Sequence, residues 1–346
     1  MAVMIYPWQQ EAWQQLHAMR ARLPHAILLH GNPGIGKTDF AEAFAASLLC
    51  ERPLDDGRAC GTCLSCGWFG QYAHPDYRRV RPEALDGADA AATADDGDAG
   101  DDKKAAKASK VPSKEIRIDQ IRALADLMNL STHRNGKRVV LLYPAEALNT
   151  ISANALLKSL EEPPPDTVFL MVSNSLDRLL PTILSRCRQV ALPLPTTPVA
   201  LAWLEQQQVR DADMWLAEQG GAPLAALALA QAGSHEAQDE LLAMLARPSV
   251  EASLKTADKL QKAVVVDLVV CLQRWLHDLL SVKLSGKLRY YPRKQDVLTA
   301  LAARVAVPAL LKAVDQARER RAIARHPLAA RLFIEDMLLD YSHLFS

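Results

Sequence analysis

The run Gly31-Asn32-Pro33-Gly34-Ile35-Gly36-Lys37-Thr38 matches G-x-x-x-x-G-K-[ST] at every specified position, and this constrains what must surround it. Such a loop closes its backbone N–H groups around phosphate oxygens when a buried strand delivers it and a helix N-terminus follows. Both flanks can be read in the sequence: Ala26-Ile27-Leu28-Leu29-His30 as a short buried strand, and residues 39–49 as a helix. Gly31, Gly34 and Gly36 permit the tight path, Lys37 neutralises phosphate charge, and the Thr38 hydroxyl suits magnesium. These five residues are the candidate cradle for ATP and magnesium.

Hydrolysis asks for more than a cradle. An aspartate at the end of a neighbouring strand has to hold the metal, and a polar or acidic group has to aim the attacking water. The hydrophobic run Val139-Val140-Leu141-Leu142 ends instead in Tyr143-Pro144, which offers neither. Glu146 lies beyond that proline and reads as a surface carboxylate. The chain is therefore expected to hold a nucleotide, if it holds one, without cleaving it.

Four of the six cysteines crowd together as Cys50-x9-Cys60-x2-Cys63-x2-Cys66, with Gly57, Gly61 and Gly67 permitting tight turns. Paired C-x-x-C spacings also occur in redox sites, and iron–sulfur ligation uses thiolates too. A closed set of four thiolates with no open position points to structural zinc. Cys187 and Cys271 stand apart and read as buried small hydrophobes.

After the cysteines, residues 84–113 switch to Ala, Asp, Gly and Lys with almost no branched or aromatic apolar side chains. Such a segment buries too little surface to offset its chain entropy and is expected to be a disordered insertion. Order resumes at Ile116, with Asp119 as the expected N-cap of a helix reaching Leu130. A strand at 138–142, a helix at 152–160 stopped by Pro163-Pro164-Pro165, and a strand at 167–172 follow. Strands alternating with helices predict a parallel sheet covered on both faces. Beyond Pro195 the leucines and alanines keep helical period, with breaks near Gly220-Gly221, Pro248 and Pro292. The expected organisation is an α/β domain over 1–193, carrying the cysteine module at 50–66, then a small helical segment over 194–232 and a helical bundle over 233–346.

At 346 residues, with 40 basic and 40 acidic side chains, the whole chain has no electrostatic footprint of a nucleic-acid binder. Local basic runs at Arg78-Arg79-Val80-Arg81, at Arg289, Arg293 and Lys294, and at Arg318, Arg320, Arg321 and Arg325 read as solvated faces before they read as polyanion sites. The N-terminus lacks a signal-peptide pattern and no apolar run approaches membrane-spanning length, so a cytoplasmic protein with no membrane partner is expected.

Two stretches carry a family resemblance. Ser152-Ala153-Asn154-Ala155-Leu156-Leu157-Lys158-Ser159-Leu160-Glu161-Glu162-Pro163-Pro164 and Pro181-Thr182-Ile183-Leu184-Ser185-Arg186-Cys187 resemble bacterial clamp-loader subunits of the AAA+ class. With the cysteines and the altered strand end, the pattern is most similar to the delta-prime family of DNA polymerase III. The likeness extends to the tail, Ala324-Arg325-His326-Pro327-Leu328-Ala329-Ala330-Arg331-Leu332. It implies an AAA+ domain with a zinc-binding insertion, a helical lid and an all-α collar. It also implies a hetero-pentameric ring with gamma or tau and delta subunits, which loads a sliding clamp onto primer-template DNA.

In that ring Arg186 would be an arginine finger, donated in trans to the ATP of a gamma or tau neighbour. Lys158 is a candidate DNA contact, with an ordinary helix-surface lysine as the commoner explanation. Two departures from the family pattern stand out: the phosphate loop is intact, and the lid position of a sensor arginine reads Gly220-Gly221-Ala222-Pro223-Leu224. Sensor residues match only loosely, at Ser173-Asn174. An ATP-hydrolysing motor of the gamma or tau type is the alternative reading, and an unrelated P-loop kinase or repair ATPase a third.

Overall fold

A computed structural model describes residues 4–86, 112–128, 132, 136–232, 235–324 and 329–345. Most of the compositionally biased segment, and residues 325–328 of the tail motif, lie outside the described residues, as do Leu130 and the boundary residue Gly233. The chain divides into two compact units, Met1–Pro195 and Thr196–Ser346.

The first unit is built on a five-stranded sheet in the order β2-β3-β4-β1-β5, with β1 Ala26–His30, β2 Tyr77–Val80, β3 Arg138–Leu142, β4 Thr167–Ser173 and β5 Arg188–Ala191. Every pairing is parallel, with Leu28 opposite Met171 and Val140 opposite Phe169 in the centre. The two-sided burial of β1, β3 and β4 explains their unbroken Val, Leu, Ile and Phe content, since helices cover both faces of such a sheet. Helix α1 (Gln10–Ala18) sends Trp13 edge-on against Phe40 and Phe44 of helix α2 (Lys37–Leu49), both ring pairs 5.9 Å apart. Each such ring buried from water contributes about 1.5–3 kcal/mol. On the other face, Ile121, Leu124, Leu156 and Leu160 join Val140, Phe169 and Met171 in one cluster.

Two strands went unread in the sequence. Both lie at sheet edges, where half the side chains meet solvent: β5 buries only Val190, and β2 buries Tyr77 and Val80 around Arg78 and Arg79. This overturns the reading of residues 78–81 as a solvated basic face. Arg79 lies 3.9 Å from the Tyr72 ring centre and 3.7 Å from Glu42, while Arg81 is buried and paired with Asp86. The helix after the insertion runs Ile118–Met128, so Asp119 sits in its first turn and is not its N-cap. Gln120 does part of the capping work: its side-chain oxygen accepts the Arg117 N–H at 2.9 Å. The ends of the biased segment are held together, with Ala84 N–H donating to Ser113 O at 3.0 Å.

The second unit is wholly helical among its described residues. Its largest cluster is centred on the helix Val265–Ser285, where fully buried Trp275 donates to Tyr341 Oη at 2.8 Å and Tyr341 Oη donates onward to Leu245 O. Asp278 lies fully buried on that helix and accepts the N–H groups of Arg289, Tyr290 and Tyr291 at 2.8–3.0 Å, which fixes the turn after the helix. In the second basic run Arg293 pairs with Asp211 and Asp213, and in the third Arg320 pairs with Asp336 and Asp340. Among the described residues no single helix is long and apolar enough to cross a membrane.

Candidate functional site: phosphate loop, strand end, exposed arginine and cysteine cluster

Strand β1 delivers the phosphate loop to the N-terminus of α2, as its spacing predicts. Gly34 and Gly36 adopt positive φ of 75° and 79°, and Gly36 is the residue that opens the helix. A Cβ on Gly36 would meet the Tyr6 ring at 2.3 Å, and one on Gly31 would meet Leu192 O at the same distance. Phe40 N–H bonds Gly36 O at 3.0 Å, and Lys37 and Thr38 fall in the first turn of the helix, whose N–H groups have no intrahelical acceptor.

Lys37 is buried and donates to Asn32 O at 2.6 Å, in the space between loop and helix that a phosphate oxygen would share. Burial pulls its ammonium down to about 8, against the opposing pull of Glu146. The donor set fits a polyphosphate. A segment missed in the sequence holds the loop from behind: Gln9 Nε2 donates to Ile35 O at 2.9 Å and Gly36 O at 2.8 Å, and Trp8 Nε1 to Ile35 O at 3.0 Å. Tyr6 Oη donates to Asp39 at 3.0 Å. Nothing periodic marks these residues, because their role is set by contacts across more than twenty positions.

Strand β3 ends beside this cradle in Tyr143-Pro144, joined by a cis peptide bond. Tyr143 accepts a hydrogen bond from Arg81 at 3.2 Å, so the position where a metal-binding carboxylate would stand holds a phenol facing guanidinium. Glu146 is half-buried, not the surface carboxylate that the sequence suggests. It accepts the Asn174 backbone N–H at 3.2 Å and the side-chain amide at 3.0 Å, and its charge acts on Lys37. It sits on the single turn Ala145–Ala147 beyond the strand end.

Arg186 follows the short helix Pro181–Leu184. Its backbone is anchored by buried Ile183 and Cys187, whereas its side chain is a third exposed. The guanidinium donates to Thr182 O at 2.9 Å and pairs with Glu161.

The cysteines converge. The Sγ atoms of Cys50, Cys60, Cys63 and Cys66 all lie within 4.8 Å of one another, with Cys50 to Cys63 at 3.9 Å and Cys60 to Cys66 at 4.0 Å. A zinc ion with bonds of about 2.3 Å sets tetrahedral edges of about 3.8 Å, so the set fits zinc. Backbone N–H groups of Cys60, Cys63 and Cys66 donate to Cys50, Cys60 and Cys63 sulfurs at 3.3–3.4 Å, which favours thiolates. The N–H and hydroxyl of Thr62 draw the Cys60 thiol down to about 6, while burial pushes Cys50 and Cys66 up. Four such neighbours ionise together only around a cation.

Behind the cluster, His74 and Ser65 are buried and 2.9 Å apart. His74 Nδ1 accepts the Asp76 N–H, so Nε2 carries the proton toward Ser65 Oγ, whose own hydrogen goes to Leu49 O at 2.6 Å. This Ser–His pair has no base aimed at the hydroxyl and serves as bracing.

Comparison with known proteins follows the same lines. The family model described as DNA polymerase III, delta subunit, matches residues 8–196. A DNA polymerase III subunit delta' from Pseudomonas aeruginosa is 42% identical over 242 residues, covering 69% of this chain and 65% of the relative. The chain belongs to the DNA polymerase III delta-prime family. The Escherichia coli subunit delta' is 31% identical over 246 residues, 70% of this chain and 65% of its own length. The match thus spans about two thirds of the length of these relatives. A solved DNA polymerase III gamma subunit-related protein from Thermotoga maritima aligns over 98% of this chain and 100% of that one, at 15% identity and a TM-score of 0.42, too distant to support a reading of function. Within the family, this chain combines a complete phosphate loop with Tyr143-Pro144, the four-cysteine cluster and the Ser185-Arg186-Cys187 turn.

Proposed function

We propose that this chain is the non-hydrolytic delta-prime member of a DNA polymerase III clamp loader. It would work in a hetero-pentameric ring with gamma or tau and delta subunits, helping to load the sliding clamp onto primer-template DNA in the cytoplasm. It would contribute to the DNA-directed DNA polymerase holoenzyme without being an ATPase by itself. The carrying observation is the pairing of a well-formed phosphate loop with a strand end that has Tyr143, bonded to Arg81, in the metal-holding position.

Two further assignments belong to this reading. Arg186 would be donated in trans to the ATP of a gamma or tau neighbour, a role supported by its partial exposure and by the planar fork of permanent charge that guanidinium offers phosphate. Cys50, Cys60, Cys63 and Cys66 would hold structural zinc, while Gly31, Gly34, Gly36, Lys37 and Thr38 would hold ATP with magnesium, if nucleotide enters, without turnover. Within the AAA+ architecture of this reading, residues 1–193 are the nucleotide-binding domain, 194–232 the lid and 233–346 the collar.

The test has two arms. The purified chain alone should show no ATP turnover, and a reconstituted ring carrying Arg186→Ala should lose about 10³-fold in rate at the one neighbouring site, the scale on which trans arginines act in related NTPases. Turnover by the solitary chain, or a normal ring with the substituted arginine, would refute the reading and favour a motor subunit.

A further inference from the structure

Glu161 closes the helix Thr150–Glu161 and is followed by Glu162 and Pro163, which ends the helix. A carboxylate in the last helical turn faces the negative end of the helix dipole, so local helix energetics disfavour it there. The structure gives it another role. Its Oε1 accepts from Nη2 of Arg186, while Nη1 of the same guanidinium donates to Thr182 O at 2.9 Å and lies 3.4 Å from Ser185 Oγ. The Arg186 backbone is itself fixed, its N–H donating to Ile183 O at 3.1 Å between buried Ile183 and Cys187. Only the long side chain remains to be ordered.

We propose that Glu161 is a positioning residue for Arg186, and this rests on the reading of Arg186 as an arginine donated to a neighbour's ATP. A guanidinium offers five N–H donors. Holding one edge with Glu161 and Thr182 O leaves Nε–H and further terminal hydrogens to face outward toward phosphate. An arginine ordered before assembly loses less rotamer freedom when it engages phosphate, and a partly exposed single carboxylate is too weak a partner to withhold it from a triphosphate.

The experiment uses the reconstituted ring with three variants of this chain and reads ATP turnover under saturating clamp and primed DNA. Glu161→Ala is expected to lower kcat roughly fivefold, the scale of a part-exposed charged contact, with the ATP KM nearly unchanged. Glu161→Gln, which keeps an acceptor for Nη2, is expected to recover most of that loss. Glu161→Ala combined with Arg186→Ala should be no slower than Arg186→Ala alone, whereas a merely structural role for Glu161 would add a further loss. An unchanged or faster Glu161→Ala ring, or a double variant slower than Arg186→Ala, overturns the positioning role while Arg186→Ala remains defective. If Arg186→Ala itself runs at the normal rate, the reading beneath it falls as well.

Discussion

Lys37 is a residue whose charge is altered by its surroundings. Its ammonium is buried, meets Asn32 O, and is drawn down to about 8 by loss of solvent, with Glu146 only partly opposing. A lysine with a lowered folded pKa is charged below that value and neutral above it, so the cradle should lose its positive charge as pH rises through about 8, well before ordinary lysines titrate near 10.4. In side-chain NMR of the labelled chain, one lysine signal should titrate near pH 8, vanish in Lys37→Met, and move upward when magnesium and a non-hydrolysable ATP analogue are added. Analogue affinity should accordingly be flat below pH 8 and decline above it. A signal set in which every lysine titrates above pH 10 would show that the loop is open to solvent and the burial argument wrong.

At the scale of elements, the chain's own pattern was most legible where one element carries its whole signal. The phosphate loop, the strands at 26–30, 138–142 and 167–173, and the four cysteines each declare themselves within a few residues, because buried strands need unbroken apolar runs and a metal site needs its ligands close. The edge strands β2 and β5 were missed because Arg78, Arg79, Arg188 and Gln189 face partners or solvent that only the sheet order supplies. The bracing of the loop by Tyr6, Trp8 and Gln9, and of Arg186 by Glu161, was equally invisible, since each joins residues far apart in sequence.

The cysteine element yields its own prediction. Cys50 ends α2, and the other three ligands lie on the loop and short helix Leu64–Gly70 that lead into β2, so the metal would tie the phosphate-loop helix to the sheet edge. Cys60→Ser should abolish stoichiometric zinc in metal analysis. It should also lower the stability of the sheet-containing unit by at least about 2 kcal/mol, roughly 4–8 °C in Tm. Retained zinc or an unmoved transition would remove the metal from its structural role.

Across the whole molecule, the two units differ in what titrates inside them. The helical unit buries Glu218, whose Oε1 has no hydrogen-bond partner, with the charges of Arg274 and Asp239 acting on it. Burial lifts this carboxyl to about 7, Arg274 only partly offsetting it. The consequence for stability follows from linkage: in acid the group is protonated folded and unfolded and costs nothing. As pH rises from the unfolded value near 4.3 toward 7 the unfolded state alone ionises, so folding becomes progressively less favourable, and above 7 the full cost is present. Glu218→Gln removes the titration while keeping the shape. It should leave stability unchanged near pH 4 and raise it by on the order of 1–3 kcal/mol at pH 8, measured by urea unfolding of the full chain across that range. The change belongs to Thr196–Ser346, whereas zinc removal belongs to Met1–Pro195, so scanning calorimetry should show chelator and Glu218→Gln acting on separately assignable transitions. A variant no more stable at pH 8 than wild type would mean that the Glu218 carboxylate already has its compensating partner in the folded helices.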